Sequence, residues 1–301
     1  MTPDTTTPPV AARSGLAIST RGLVHIYRSE GHDVAALSGV DLSVAAGEMI
    51  ALLGPSGAGK STLLTLLGGL FKPSAGKIFI GEHELTSLTT NQFDRLRATE
   101  VSLMLQGASR NLLPYLTPRQ NVAFAQHAAR RLDKHADLPD VREVLDRVGL
   151  TGHADAPLGS LTPGHLQLAA VAICIATNPG VILADEPTSQ LDHHARDTVL
   201  DTLARINTGQ GTTVVLVTHD PQVAAVMPRT VTIRDGRIGG EGRAGQEYAV
   251  VTADGFLPLP AHALDVLPPG TLVRVHDQDG TWVLLPDAGG TGPEPPEEGA
   301  R

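Results

Sequence analysis

The sequence predicts an α/β fold: a mostly parallel sheet flanked by helices, an inserted α-helical subdomain, and a small β-rich appendage at the C-terminal end. Three observations carry this reading. Apolar strand-like runs alternate with helical stretches both before residue 81 and after residue 180, which is the pattern of a parallel sheet. Residues 91–178, between those halves, read as mostly helical. Near Gly239 the composition shifts to glycine and arginine, and short β-like runs follow among proline and glycine turns.

The Thr/Pro-rich start, residues 1–14, reads as disordered and lacks the apolar core of a signal peptide. Runs at 16–19, 23–27 and 40–44 are strand-like. The apolar strand at 48–53 runs into a glycine-rich turn, and a helix at 61–70 follows, stopped by Gly68, Gly69 and Pro73. A strand returns at 77–80. Helical patterns occupy 91–98, 119–130, 139–148 and 165–176. Alternation then resumes, with strands at 181–184, 213–218 and 230–234 and helices at 193–207 and 221–226. The main domain is therefore placed at 15–240, with its helical subdomain at about 107–178. The appendage is placed at 241–286, with β-like runs at 248–252, 272–276 and 282–285. Residues 287–301 read as a flexible acidic tail.

Composition narrows the function. The chain has 301 residues, 41% hydrophobic and only 3% aromatic, so aliphatic side chains must build the core. A net charge of -9 argues against a nucleic-acid partner held by bulk positive charge. One cysteine, Cys174, excludes an internal disulfide framework and a cysteine zinc site, and it reads as helix packing. The charge-free stretch 156–184 is interrupted by Pro157, Gly159, Pro163, Gly164, Pro179 and Gly180. A spanning helix needs about 20 apolar residues. The chain is therefore expected to reach a membrane only through a partner.

The chemistry concentrates in two motifs. Gly54, Pro55, Ser56, Gly57, Ala58, Gly59, Lys60 and Ser61 match G-x-x-x-x-G-K-[ST] between a strand and a helix. Gly57 and Gly59 let backbone N–H groups curl around a phosphate. The helix N-terminus adds positive potential. Lys60 reaches the outer phosphates, and Ser61, with Thr62 beside it, offers a hydroxyl to magnesium. The second motif is an apolar strand ending in Asp185 and Glu186. Asp185 suits magnesium, and Glu186 suits a general base acting on water.

With these motifs in place, the chain resembles the nucleotide-binding subunit of an ABC transporter over about residues 16–238. The resemblance extends to Tyr27, where an aromatic ring stacks on adenine, and to Gln106, which contacts magnesium and the attacking water. It extends to Ser189 and Asp192, in the loop that crosses a dimer interface, and to His219, the switch histidine at the γ-phosphate. It implies ATP and Mg2+ as cofactors, and a dimer that closes around two ATP molecules. It further implies a separate transmembrane permease, and a cytoplasmic location, peripheral on the inner face of the membrane. The permease is expected near 106–115. Stretches 36–42, 67–70, 112–117 and 121–122 look most like the lipoprotein-release, macrolide-export and cell-division type.

The family's signature reads L-S-G-G-Q or L-S-G-G-E; here it is Leu161, Thr162, Pro163, Gly164 and His165. Thr162 keeps a hydroxyl, Gly164 keeps a close-approach backbone, and Pro163 removes a donor. Leu168 and Ile173 stand where many relatives carry arginine. This departure leaves open whether the dimer is homo- or heteromeric. It also leaves an alternative: a low-turnover ATP-gated module, or the weak half of a heterodimer. A P-loop small-molecule kinase is disfavoured, because the inserted region carries a signature-like segment and precedes a switch histidine.

Overall fold

The structure, a computed structural model, describes residues 15–29, 32–243, 245–252, 255–259, 261–268, 270–278 and 280–286. The expected disordered start and acidic tail lie outside these residues. The chain divides into two compact units that part between Tyr248 and Ala249.

The first unit opens with β1 (Ile18–Ser29), β2 (His32–Val40), β3 (Ser43–Val44), β4 (Met49–Leu53) and helix α1 (Lys60–Leu67). Next come β5 (Ala75–Ile80), β6 (His83–Glu84), α2 (Thr90–Thr99), β7 (Val101–Met104), α3 (Pro118–Leu132), α4 (Val141–Arg147) and α5 (Pro163–Ile175). Then follow β8 (Val181–Asp185), α6 (His193–Gln210), β9 (Thr213–Val217), α7 (Pro221–Val226), β10 (Arg229–Arg234), β11 (Arg237–Arg243) and β12 (Gln246–Ala249). Beyond it lie α8 (Ala261–Leu264), β13 (Val273–Gln278) and β14 (Thr281–Pro286).

The central sheet has strand order β12-β11-β10-β4-β9-β8-β7. β10, β4, β9, β8 and β7 run parallel, and β11 turns back antiparallel to β10. β4, β8 and β9 are apolar runs buried along nearly their whole length, as strands covered on both faces must be. A second, antiparallel sheet is ordered β2-β1-β5-β6, with β3 also paired to β1.

Helix starts follow local chemistry. Thr89 with Gln92 and Thr117 with Gln120 form capping boxes, and Pro118 occupies the first turn of α3. α5 is apolar around most of its circumference, so it becomes the core of the helical region. It packs on β7, α3, α4 and α6. Full burial of Val171 and Ile175 stabilises the fold by about 1.5–3 kcal/mol each.

Several elements differ from the sequence reading. The two runs at 16–19 and 23–27 belong to one strand, β1, which bends at Gly22 (φ 52) with register shifts beside it. β2 shows little periodicity because, of its described side chains, only Leu37 and Val40 are buried. β7 lies within the stretch read as helical; its burial pattern does not alternate. The central sheet runs on past residue 240 through β11, whose Gly239, Gly240 and Gly242 carry no side chain to mark a strand.

Candidate functional site

Four neighbouring parallel strands deliver the site. The phosphate loop follows β4, His219 follows β9, Glu186 follows β8 and Gln106 follows β7. All four therefore sit at carboxyl ends of one sheet, where α/β folds bind ligands. Together they line a cleft of about 440 Å³ with Ser56, Gly57, Gly59, Lys60, Ser61 and Thr62.

The loop is held by close packing as well as by phosphate-directed geometry. Gly54 leaves β4 at φ +141, and a Cβ there would lie 2.1 Å from the Ile233 carbonyl of β10. Gly59 precedes α1 at φ +99, and its Cβ would lie 2.4 Å from the Ala36 carbonyl of β2. Both glycines are thus required by the sheets on either side. Ala58 is buried beneath the loop, and its N–H donates to the Pro55 carbonyl. Lys60 is 8% exposed. Its Nζ donates to the carbonyls of Gly54 (2.8 Å) and Pro55 (2.7 Å), closing the loop on its own cation.

Ser61 Oγ donates to Asp185 Oδ1 at 3.1 Å, linking α1 to the end of β8. Burial pushes the Asp185 carboxyl above the usual carboxylate range; the Ser61 hydroxyl opposes this, and the Glu186 charge adds to it. Glu186 turns out of β8 at φ +49, in the left-handed region, a conformation that costs about 1–2 kcal/mol for a residue with a Cβ. Its N–H donates to the Val217 carbonyl. Its Oε1 lies 2.6 Å from His219 Nδ1. The two residues read as base and switch therefore meet directly across β8 and β9.

Ser61, Gln106 and Asp185 are a hydroxyl, an amide and one carboxylate. Such hard oxygen donors fit Mg2+, which prefers few protein ligands plus phosphate. Among the described residues there is no cluster of three or more His, Cys, Asp or Glu suited to another metal. Tyr27 is half-exposed, and its hydroxyl lies 3.2 Å from Thr62 Oγ1. Its ring packs edge-on against His25 and Phe71. Cys174 is buried, and burial pushes its thiol up to about 11, so it is inert packing.

The signature residues lie elsewhere. Thr162 caps α5 by accepting from the His165 N–H at 3.2 Å, and Pro163 takes the first helical position. A Cβ on Gly164 would sit 3.0 Å from Ala195 Cβ, so this glycine sets the approach of α5 to α6. The His165 ring packs on His153, with centroids 4.2 Å apart. Thr162, Pro163, Gly164 and His165 share a cleft of about 500 Å³ with Gln190, Asp192 and the first turns of α6. Leu161 is buried behind them. Asp192 caps α6 through the Ala195 N–H, and Ser189 Oγ donates to the Glu186 carbonyl. No residue lines both this cleft and the phosphate cleft.

Two supporting residues, Asn111 and Arg196, escaped the sequence reading. Asn111 clamps the loop after β7: its amide pairs with both backbone groups of Leu105 and with the Gly107 carbonyl, on either side of Gln106. An asparagine in a turn is a general signal for such a clamp, but it does not name the partner. Arg196 of α6 reaches Asp220 and Gln222, beside the switch histidine. Asp220 caps α7, and an acid directly before a helical proline was a usable cap signal.

Comparison with known proteins agrees with this geometry. The family model described as ABC transporter matches residues 37–189. The lipoprotein-releasing system ATP-binding protein LolD 1 of Caulobacter vibrioides is 36% identical over 221 residues, covering 73% of this chain and 94% of that protein. The macrolide export ATP-binding/permease protein MacB of Chromobacterium violaceum is 38% identical over 226 residues, 75% of this chain and 34% of that longer protein. The structure of the ATP-binding cassette MJ0796, a dimer in a post-hydrolysis state with ADP and Pi, superposes with a TM-score of 0.66 at 29% identity. It covers 75% of this chain and 98% of that one. With the phosphate loop, the acid pair and His219 converging at the carboxyl ends of one sheet, the chain belongs to the ABC transporter family, as an ATP-binding cassette homologous to the LolD and MacB nucleotide-binding subunits.

Proposed function

We propose that this chain hydrolyses ATP as one half of a cassette pair and passes the resulting motion to a separate membrane permease. The observation that carries the reading is the separation of the two clefts. One chain holds a phosphate site and, in a different cleft, a signature segment. Two chains facing each other give each ATP a phosphate loop from one copy and a signature from the other.

Each residue then has a task. Lys60 releases its loop carbonyls and turns to the outer phosphates. Ser61, Asp185 and Gln106 would hold Mg2+, which supplies charge neutralisation on the phosphates. Glu186 accepts the proton of the attacking water. His219, already 2.6 Å from Glu186, orients that carboxylate and contacts the γ-phosphate. The α5 N-terminus, capped by Thr162, presents its positive end from the opposite copy.

A groove near Gln106 supports permease docking. It is lined by Asp94, Arg97, Leu103, Leu105, Ala125 and Leu132, from α2, β7 and α3. A displacement there reaches Gln106 through the loop that Asn111 clamps. No helix among the described residues is long and apolar enough to cross a membrane, and this reading takes the permease to be a separate chain. The cassette then sits on the cytoplasmic face of the membrane.

A second reading has its own observation: Pro163 offers no N–H where the signature pattern L-S-G-G-Q has a glycine. The chain would then be a slow ATP-gated module, or would depend on a partner cassette. Steady-state ATPase assays on the purified chain, alone and with a candidate permease or second cassette, decide the matter. Turnover by the chain alone supports a self-complementing pair. No turnover alone or with either partner overturns the proposal.

A further inference from the structure

His219 is fixed by its backbone rather than by packing. Its side chain is 70% exposed, and the ring is held by its bond to Glu186. On the β9 side the chain is secure. The Thr218 N–H donates to the Leu52 carbonyl, and Thr218 Oγ1 accepts from the Asp220 N–H at 3.0 Å. On the other side stands α7, six residues long, of which only Val223 is buried. A helix this short is marginal in isolation. Whatever holds its first turn therefore decides where His219 lies.

Arg196, in the first turn of α6, supplies that hold. Its Nη1 donates to Asp220 Oδ2 at 3.5 Å and to Gln222 Oε1, while its Nε donates to Asp197 Oδ1 at 3.0 Å. The side chain is only 14% exposed, so solvent screens these bonds less than it screens an open surface pair. A guanidinium is a rigid fork, which fixes the orientation of what it binds as well as its distance. Asp220 Oδ1 accepts at the same time from the Gln222 N–H at 2.8 Å. One carboxylate thus joins the cap of α7 to Arg196.

These bonds close a ring around the loop between β8 and α6. Glu186 Oε1 meets His219 Nδ1 at 2.6 Å. Ser189 Oγ donates to the Glu186 carbonyl at 3.0 Å, and the Arg196 N–H donates to the Asp192 carbonyl at 2.9 Å. Arg196 completes the circuit by crossing to Asp220, next to His219. Its position also joins the two clefts. Ala195, the residue before it, lines the signature cleft and sets the approach of Gly164. His219, the residue before its partner Asp220, lines the phosphate cleft.

We propose that Arg196 is a positioning residue for hydrolysis: it keeps His219 on Glu186 by tying the segment after β9 to the start of α6. Arg196 touches no reacting atom and acts through Asp220 and Gln222. The proposal rests on the ATPase reading, but the placement of His219 can be measured without turnover, so the two can fail separately.

The test uses the full chain with Arg196→Met, Asp220→Asn and the two combined. Methionine keeps an unbranched apolar stem and removes the guanidinium. Asparagine keeps an oxygen for the Gln222 N–H and removes the charge that faces Arg196. Arg196→Met should lower kcat about 10- to 100-fold, the scale of a small misplacement at a reacting group. Its dissociation constant for ATP should not change, because the phosphate loop is untouched. The combined variant should be no slower than the slower single variant, since both remove the same contact. In nucleotide-free protein with labelled histidine, the NMR ring signal of His219, identified by its loss in His219→Gln, should move in Arg196→Met. An unmoved signal, or a wild-type kcat in an active preparation, overturns the proposal and leaves the ATPase reading intact. ATP binding that weakens along with kcat makes Arg196 a structural residue and overturns it too. So do single effects that add in full. A wild-type chain with no turnover, alone or with a partner, overturns the ATPase reading and the role in hydrolysis together.

Discussion

The phosphate cleft and the signature cleft are built on opposite principles. In the phosphate cleft, side chains bond across elements within a single chain, Ser61 to Asp185 and Glu186 to His219, while Lys60 bonds the backbone of its own loop. In the signature cleft, the polar side chains bond within their own helix starts. Thr162 caps its own helix, and Asp192 caps the next. A site assembled in cis must keep its partners in register, so its motif is intact. If, as proposed, the signature acts on a second copy's ATP, its own fold constrains it only at the cap and at the close approach of Gly164. Pro163 sits where a helix N–H has no internal partner in any case. The family pattern is therefore broken where breaking it costs the fold nothing.

The contrast is sharpest at Glu186. Glu186→Gln retains shape but cannot accept the water's proton, so hydrolysis should fall by about 10²–10⁴-fold. Binding of ATP should persist, and an ATP-held dimer should accumulate on size-exclusion chromatography. Hydrolysis at the wild-type rate would remove Glu186 from the role of base.

Lys60→Ala attacks the same cleft at the binding step. With ATP at about 100 times its dissociation constant, ligand stabilises the wild type by roughly 2.7 kcal/mol. The variant should lose most of that gain in thermal denaturation. An equal ATP-induced shift in both proteins would show that the loop does not use this cation.

Pro163→Gly with His165→Gln tests the other cleft. A hydrogen bond to a charged group is worth about 1.5–3 kcal/mol. If regained in the transition state alone, it corresponds to roughly 10- to 150-fold in rate. If the chain pairs with itself, its basal ATPase should rise toward that range, with ATP affinity of the monomer unchanged. A rate that stays near zero until a second cassette is added would instead favour a heteromeric pair. A wild-type chain that already turns over rapidly would remove the premise of a weakened signature.

Much of the phosphate cleft was legible in the sequence, because its two main motifs, the loop and the acid pair, are each contiguous and each follow an apolar strand. Glycine and lysine spacing located the loop, and an apolar run ending in two acids located β8. Long-range geometry was not legible. Nothing local shows that Gly59 packs on Ala36, that Asn111 clamps the backbone around Gln106, or that Arg196 reaches Asp220. The strands β2, β7 and β11 were missed for a related reason. Their described side chains are partly exposed, short or absent, so the periodicity that betrays a strand is missing even though the pairing is present.

Asp185 gives the smallest effect and the finest test of the phosphate cleft. Burial raises its carboxyl above the unfolded value, so the folded chain holds this proton more tightly than the unfolded chain. Ionisation therefore costs stability. The cost is absent below the ordinary aspartate range and complete above the raised value. Asp185→Asn removes the charge, and its amide oxygen can still accept from Ser61. The ligand-free protein in EDTA should then melt higher at pH 7, by about 2–4 °C for each kcal/mol relieved. The advantage should fade as pH is lowered through the aspartate range. The same variant should lose the magnesium-dependent part of ATP binding, so stability and function move in opposite directions at one residue. A lower melting temperature at pH 7 would mean that the carboxylate's bond to Ser61 outweighs its burial, and the cleft would not be strained toward its ligand at this position.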